Sequence, residues 1–174
     1  MPIAINGSGS ITGLTKTGIS AQPVFPGNVI QVVNYQTGAY ASGTTPIPFD
    51  DTIPQNTEGT EFMILAITPT NASSKLLIEV TAFIANSTSQ WVNGALFQDS
   101  TANALAAITN FNSDATGGEV MTFSHYMTAG TTSSTTFKFR AGCNVAATTY
   151  LNGQAARFLG GVMASSITIM EIAA

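Results

Sequence analysis

From Asn28 onward, apolar residues recur at every second position, the period of a half-buried β-strand. In Lys75–Ile84, the side chains of Leu76, Ile78, Val80, Ala82 and Ile84 share one face. In Thr135–Cys143, Phe137, Phe139, Ala141 and Cys143 alternate with Lys138 and Arg140, so the first set points inward and the two cations point to solvent. Further strands are predicted over Val29–Tyr35, Phe62–Thr68, Trp91–Gln98, Glu119–Thr128 and Ser166–Ile172, each rich in β-branched and aromatic residues. Turn signals separate them: Thr68-Pro69-Thr70-Asn71, Asn93-Gly94, Thr116-Gly117-Gly118, Ala129-Gly130-Thr131, Asn152-Gly153 and Gly160-Gly161. Only Ala102–Ile108 has helical composition, and it is short enough to be two turns of helix or another strand. Several short strands at this spacing predict an all-β, jelly-roll-like antiparallel β-sandwich.

Residues 1–27 break the pattern. They are rich in Gly, Ser and Thr, with isolated Ile3, Ile5, Ile11, Leu14 and Ile19, too few apolar groups to fold alone. This predicts two parts, an extended N-terminal arm over 1–27 and a single β domain over 28–174. Fully extended, the arm would reach roughly 90 Å. Its aliphatics are candidate anchors for grooves on a partner, the alternative being a plain linker or disordered leader.

Charge is scarce, and that changes the picture of the surface. Only 8% of the 174 residues are Asp, Glu, Lys or Arg, so hydration falls to Thr, Ser, Asn and Gly. Such a surface repels its neighbours weakly and suits a chain packed against copies of itself or a larger assembly. Unpaired strand edges sharpen the point, because oligomer closure is one way to cover them. A formal charge of −4, with five scattered basic residues, disfavours a nucleic-acid partner. No apolar stretch approaches the ~20 residues of a membrane-spanning helix, and the N-terminus lacks the pattern of a signal peptide. One cysteine, Cys143, rules out an internal disulfide.

Candidate chemistry is sparse. His125, the one histidine, shares its alternating face with Met121, Phe123 and Met127. Together with Trp91 these are candidate core or subunit-interface residues. Cys143 shares the inward face of Phe139 while Arg140 lies on the opposite parity, so burial outweighs a reactive thiolate. Asp50-Asp51, with Glu58 and Glu61 nearby, is the one acidic cluster. Pro46, Pro48 and Pro54 bracket the pair, which favours a turn over a cation site. No G-x-S-x-G elbow surrounds any serine, and Gly160-Gly161 lacks the context of a phosphate-binding loop. No enzyme, catalytic residue, metal or cofactor is therefore expected. Trp91, Tyr35, Tyr40, Tyr126 and Tyr150 could stack on sugars or partners.

Ile47-Pro48-Phe49-Asp50-Asp51-Thr52-Ile53-Pro54-Gln55-Asn56-Thr57-Glu58-Gly59-Thr60-Glu61-Phe62 resembles a module of structural proteins of tailed bacteriophages, including phages of cyanobacteria and marine bacteria. The likeness continues through residues 67–80, 95–106 and 166–172, and the opening 5–14 resembles the start of phage fibre proteins. The resemblance implies a trimeric, jelly-roll-like sandwich displayed on a virion after folding in the host cytoplasm. It brings no catalytic residues. Fibre proteins carry long shafts before such a module, whereas here Met1 lies 27 residues upstream of the β domain. That departure favours a capsid decoration (cement) protein or short head fibre. Its expected partners are two sister chains and the major capsid protein or other virion proteins. The alternative is a tail-fibre tip recognising host surface glycan; a glycan-cleaving enzyme ranks last, because side chains adjacent on a strand point to opposite faces.

Overall fold

A computed structural model describes residues 25–174; the arm candidates Ile3, Ile5, Ile11, Leu14 and Ile19 lie outside the described residues. Ten strands run in chain order: β1 (Val29–Thr37), β2 (Ala41–Gly43), β3 (Thr60–Ile67), β4 (Lys75–Asn86), β5 (Trp91–Gln98), β6 (Ala106–Phe111), β7 (Gly118–Thr128), β8 (Thr135–Cys143), β9 (Thr149–Leu151) and β10 (Ser165–Ile172). One sheet has the order β1-β10-β4-β7. The free stretch of β4 beyond β10 also pairs β9, which in turn pairs β2. The second sheet has the order β3-β8-β5-β6. Every pairing is antiparallel. Without the two short strands, this is an eight-stranded sandwich in which the chain crosses repeatedly between two four-stranded sheets, the arrangement of a jelly roll.

The period-two pattern does what the sequence requires. Leu76, Ile78, Val80, Ala82 and Ile84 of β4 and Ile167 and Ile169 of β10 are buried against Phe137, Phe139 and Ala141 of β8 and Val92 and Leu96 of β5. Cys143 ends the inward row of β8 and is also buried.

One open sequence reading is resolved and two expectations change. Of the two readings of Ala102–Ile108, helix or strand, the structure takes the strand: from Ala106 it is β6, paired with β5 from Leu96 to Trp91. Asn93-Gly94 is not a turn but the middle of β5. Gly94 is there because Phe139 crosses above it: a Cβ would lie 2.9 Å from the Phe139 ring and 3.0 Å from Met121 Sδ. Arg140 is outward but does not simply face solvent. Its guanidinium donates to the Glu58 and Gly59 carbonyls at 2.8 and 2.7 Å and pairs with Glu61 at 3.4 Å.

A second departure from simple alternation is Glu171. It follows the parity of Ile167 and Ile169 and is fully buried. Its carboxylate accepts hydrogen bonds from Gln31 Nε2 (2.6 Å), Thr70 N (2.9 Å), Thr70 Oγ1 (2.8 Å) and Asn71 N (3.2 Å). It thereby ties the end of β10 to β1 and to the turn between β3 and β4. Burial alone raises its pKa, but the donors from Gln31 and Thr70 prevail and hold it at about 2, below the ordinary 4.5.

A carboxyl whose folded pKa is depressed stabilises the fold above its unfolded pKa and loses that contribution as pH falls through the folded value. Chemical denaturation should therefore show stability falling between about pH 4.5 and pH 2. Glu171→Gln should lower the unfolding free energy by roughly 2–4 kcal/mol at pH 7 and flatten that acid dependence.

Candidate functional site

Residues 47–59 of the Ile47–Phe62 motif form a strap across the outer face of the β3-β8-β5-β6 sheet, between β2 and β3, and Thr60–Phe62 open β3 itself. The fixing points of the strap explain its composition. Ile47 is fully buried on Ala95 and Phe97, making a small second core outside the sandwich. Its N–H donates to the Cys143 carbonyl at 3.1 Å, and Gly59 N–H returns to the Pro46 carbonyl at 2.9 Å. Gly142 lets the strap pass: a Cβ there would stand 2.6 Å from Thr45 O and 2.7 Å from Ile47 N. Further along, Ala104 N–H donates to Pro54 O at 2.9 Å and Asn56 N–H to Ala102 O at 2.8 Å. Gly59 adopts φ +64° directly over Ile47, a left-handed backbone that glycine adopts without strain.

The four acids of this region do not converge. Asp50 Oδ1 accepts from Thr52 N (2.9 Å) and Thr52 Oγ1, a turn that holds its carboxyl below the ordinary pKa through those two bonds. Glu58 caps the Gln55 N–H at 2.9 Å. Glu61 pairs with Arg140, with Lys138 at 4.0 Å, and Asp51 is exposed. Among the described residues no group of three or more acids, histidines or cysteines is placed to hold a metal ion.

Phe49, carried by the strap, stacks on Trp91 with ring centroids 4.8 Å apart, and Trp91 meets Phe111 edge-on at 5.2 Å. Trp91 is half-buried between them, whereas Phe49 and Phe111 are 53% and 47% exposed. Beside this cluster a cavity of about 210 Å³ opens between the strap and the β5-β6 hairpin. Pro48, Phe49, Asp50, Asn93, Ile108 and Thr109 are among its walls.

Asn93 is one of the polar residues of that wall, with Asp50, Thr52 and Thr109. It is 5% exposed, and its Nδ2 donates to Ile47 O at 2.9 Å and Pro48 O at 3.4 Å. Two carbonyl acceptors fix the amide orientation and leave Oδ1 as an acceptor. Among the described residues only Asn93 Oδ1 and Ser74 Oγ are buried without a partner in hydrogen-bond geometry. A buried acceptor in that state costs about 1–3 kcal/mol.

The sequence candidates fall in two separate places. Met121, Phe123, His125 and Met127 line up on the sandwich-facing side of β7, an edge strand paired with β4 alone. Met121 is core, and the other three are half-buried, with Phe123 tilted against Phe139 at 6.2 Å. Trp91 belongs instead to the outer layer of the other sheet. Asn93 was not foreseen as a site residue; in sequence it was half of a turn dipeptide. The one available signal was a polar residue at a strand centre, flanked by apolar neighbours.

No protein-family model matches the sequence, and no curated protein does. Solved structures similar to the chain include Eiger TNF from S. frugiperda, at 9% identity and TM-score 0.49, covering 82% of this chain and 93% of that one. The CBM22-1 xylan-binding domain from Paenibacillus barcinonensis Xyn10C aligns at 12% identity and TM-score 0.42, covering 87% and 99%. A structure of infectious bursal disease virus, Gx strain, aligns at 15% identity and TM-score 0.43, covering 89% of this chain and 36% of that chain.

Gly142→Ala should lift the strap, because the atoms its Cβ meets are backbone. Thermal unfolding should report a loss of about 1–3 kcal/mol, and tryptophan emission should move to longer wavelength as Phe49 leaves Trp91.

Proposed function

We propose that the protein is a non-enzymatic virion structural protein of a tailed bacteriophage, a homotrimeric capsid decoration (cement) protein or short head fibre. The observation that carries this reading is the outer face of the β1-β10-β4-β7 sheet, which is open and nearly uncharged. Its rows run Val32-Met170-Leu77-Tyr126, then Asn34-Thr168-Glu79-Ser124, then Gln36-Ser166-Thr81-Thr122. Glu79 is the one ionic side chain in those twelve positions, and Lys75 stands in the adjoining row between Ile172 and Thr128. Beyond them Phe83 pairs with Val120 and meets Phe158. An apolar row beside neutral Ser, Thr and Asn rows is easily desolvated against another protein, because few charges must lose water.

In this reading sister chains cover part of that face, and the remainder, with residues 1–27, engages the major capsid protein. Three arms on one trimer act at high effective concentration, so each groove on the shell needs little affinity of its own. A trimer so placed would brace the shell against internal pressure. The alternative, a tail-fibre tip that recognises host surface glycan, draws on a different observation, the exposed Phe49–Trp91–Phe111 cluster.

Two measurements test the assignment. The copy number of this chain relative to the major shell protein in purified particles should be in the hundreds for decoration and at most a few dozen for a fibre. Purified protein should sediment as a trimer and bind shells, and Val32→Lys combined with Tyr126→Lys should weaken both. Removal of residues 1–27 should lower shell occupancy. A folded monomer that persists at all concentrations and binds no particle would reject the proposal.

A further inference from the structure

We propose that the free edge of β7 pairs with β7 of a second copy of the chain, antiparallel about a two-fold axis at Ser124. The pairing uses the rim of the first sheet and not its outer face, so it goes beyond the trimer proposed above and does not depend on it.

Five strands end a sheet among the described residues: β1, β2 and β7 in the first, β3 and β6 in the second. An edge strand offers unpaired N–H and C=O groups to any other strand, and proteins blunt such edges with bulges, short strands, charges, prolines or cover. Four of the five are blunted. β1 has a bulge between Val29 and Gln31, and β3 has one between Glu61 and Met63. β2 is three residues long. β6 is six residues long and lies beside the start of β7, where Asn110 Nδ2 donates to Val120 O at 3.3 Å. β7 lacks such devices beyond that point. It runs for 11 residues in unbroken register with β4, and Met121–Thr128 contains no Pro, Gly, Asp, Glu, Lys or Arg.

The bonds already made identify the groups that are free. Just past β7, Ala129 N–H points to the β4 side and donates to Ser74 O at 2.8 Å, whereas Val120 O points away from β4 to Asn110. In an antiparallel ladder this sense alternates from one residue to the next. The backbone N–H and C=O groups of Thr122, Ser124 and Tyr126 therefore project from the open edge, and all three residues are exposed.

The occupant is a second copy because the edge complements itself. With the axis at Ser124, that residue faces its own copy and Thr122 faces Tyr126 of the other chain, and each pair exchanges both backbone bonds. On the other face of the strand, half-buried Phe123 meets His125 and Met121 meets Met127. Aromatic and β-branched pairs of this kind stabilise a ladder, and like charges placed opposite one another weaken it. A two-fold axis brings each nearby charge close to its own copy, so only a stretch without acids, lysine or arginine pairs with itself unopposed, and Met121–Thr128 is such a stretch.

Amide hydrogen exchange in the full-length protein, followed by NMR, reads the pairing by parity. The N–H groups of Phe123, His125 and Met127 face β4 and should be protected in every folded variant. Ser124→Pro removes an N–H that β4 does not use, a change an edge strand tolerates. Thr122 and Tyr126 should exchange at least about tenfold more slowly in the wild type than in Ser124→Pro, and sedimentation should show that the substitution halves the mass of the particle. Ser124→Lys sets two ammonium groups beside the axis and should have the same two effects.

Rapid exchange of Thr122 and Tyr126 in the wild type would overturn the proposal. So would protection that survives both substitutions. Protection lost on removal of residues 1–24 would assign the edge to that segment and overturn it as well. A contact on the outer face of the sheet would not single out alternate amides, so failure here is distinguishable from failure of the virion assignment.

Discussion

The sandwich depends on one interface, where the inward rows of β4 and β10 meet those of β8 and β5. Phe137 and Phe139 fill the space opposite Leu76, Ile78, Val80, Ile167 and Ile169, and Gly94 and Met121 accommodate the Phe139 ring. A one-residue slip of either partner would turn these side chains outward and put Lys138, Arg140 and Glu79 between the sheets. Register is therefore fixed by burial, and everything outside the sandwich is positioned by it. Trp91 and Asn93 reach the strap because Val92 and Leu96 of the same strand are held in the core.

With so few charges, the chain uses neutral amides and hydroxyls as its cross-braces. Asn112 Nδ2 donates to Asn86 Oδ1 at 2.7 Å, both residues buried, joining the chain after β6 to the end of β4. Asn152 accepts from Ser165 Oγ at 2.6 Å and donates to the Thr37 carbonyl at 2.9 Å, linking the turn after β9 to β10 and β1. Asn93 does the same for the strap. An amide both donates and accepts, so it can join two backbone segments without the desolvation penalty of an ion. Glu171 is the exception, a buried carboxylate, and it is matched by four donor groups. Arg140 is only part-buried and engages two carbonyls and a carboxylate. The few charges in structural positions are thus committed to local bonds. The wide outer face of the first sheet is left almost neutral.

The two outer faces of the sandwich differ in construction. The outer face of the β1-β10-β4-β7 sheet is lined by hydroxyls and amides, with a hollow of about 380 Å³ among Glu79, Thr81, Thr122, Ser166 and Thr168. The strap side carries the cavity between Phe49 and the β5-β6 hairpin. A jelly roll offers both because each sheet has one face committed to the core and one left over. On the second sheet the long β2–β3 connection turns that spare face into a cavity wall.

Alternation alone determined seven of the strands and, for Lys75–Ile84 and Thr135–Cys143, which side is core, since burial of every second residue is a local property of an extended chain. It also determined that Phe137, Phe139, Ala141 and Cys143 would point inward, and it pointed to the sandwich class. Three-residue β2 and β9 carry too few residues to show a period. The Ala106–Phe111 strand opens on two alanines that continue the helical composition of the residues before it, so its extent and its pairing with β5 were decided by the neighbour. The strap shows the division most plainly. Its prolines and the Asp50–Thr52 turn are legible in sequence. That it crosses Gly142, buries Ile47 outside the main core and leaves Asn93 Oδ1 without a partner follows from contacts between residues 46 to 97 positions apart. Long-range packing decides such contacts, and no local pattern encodes them.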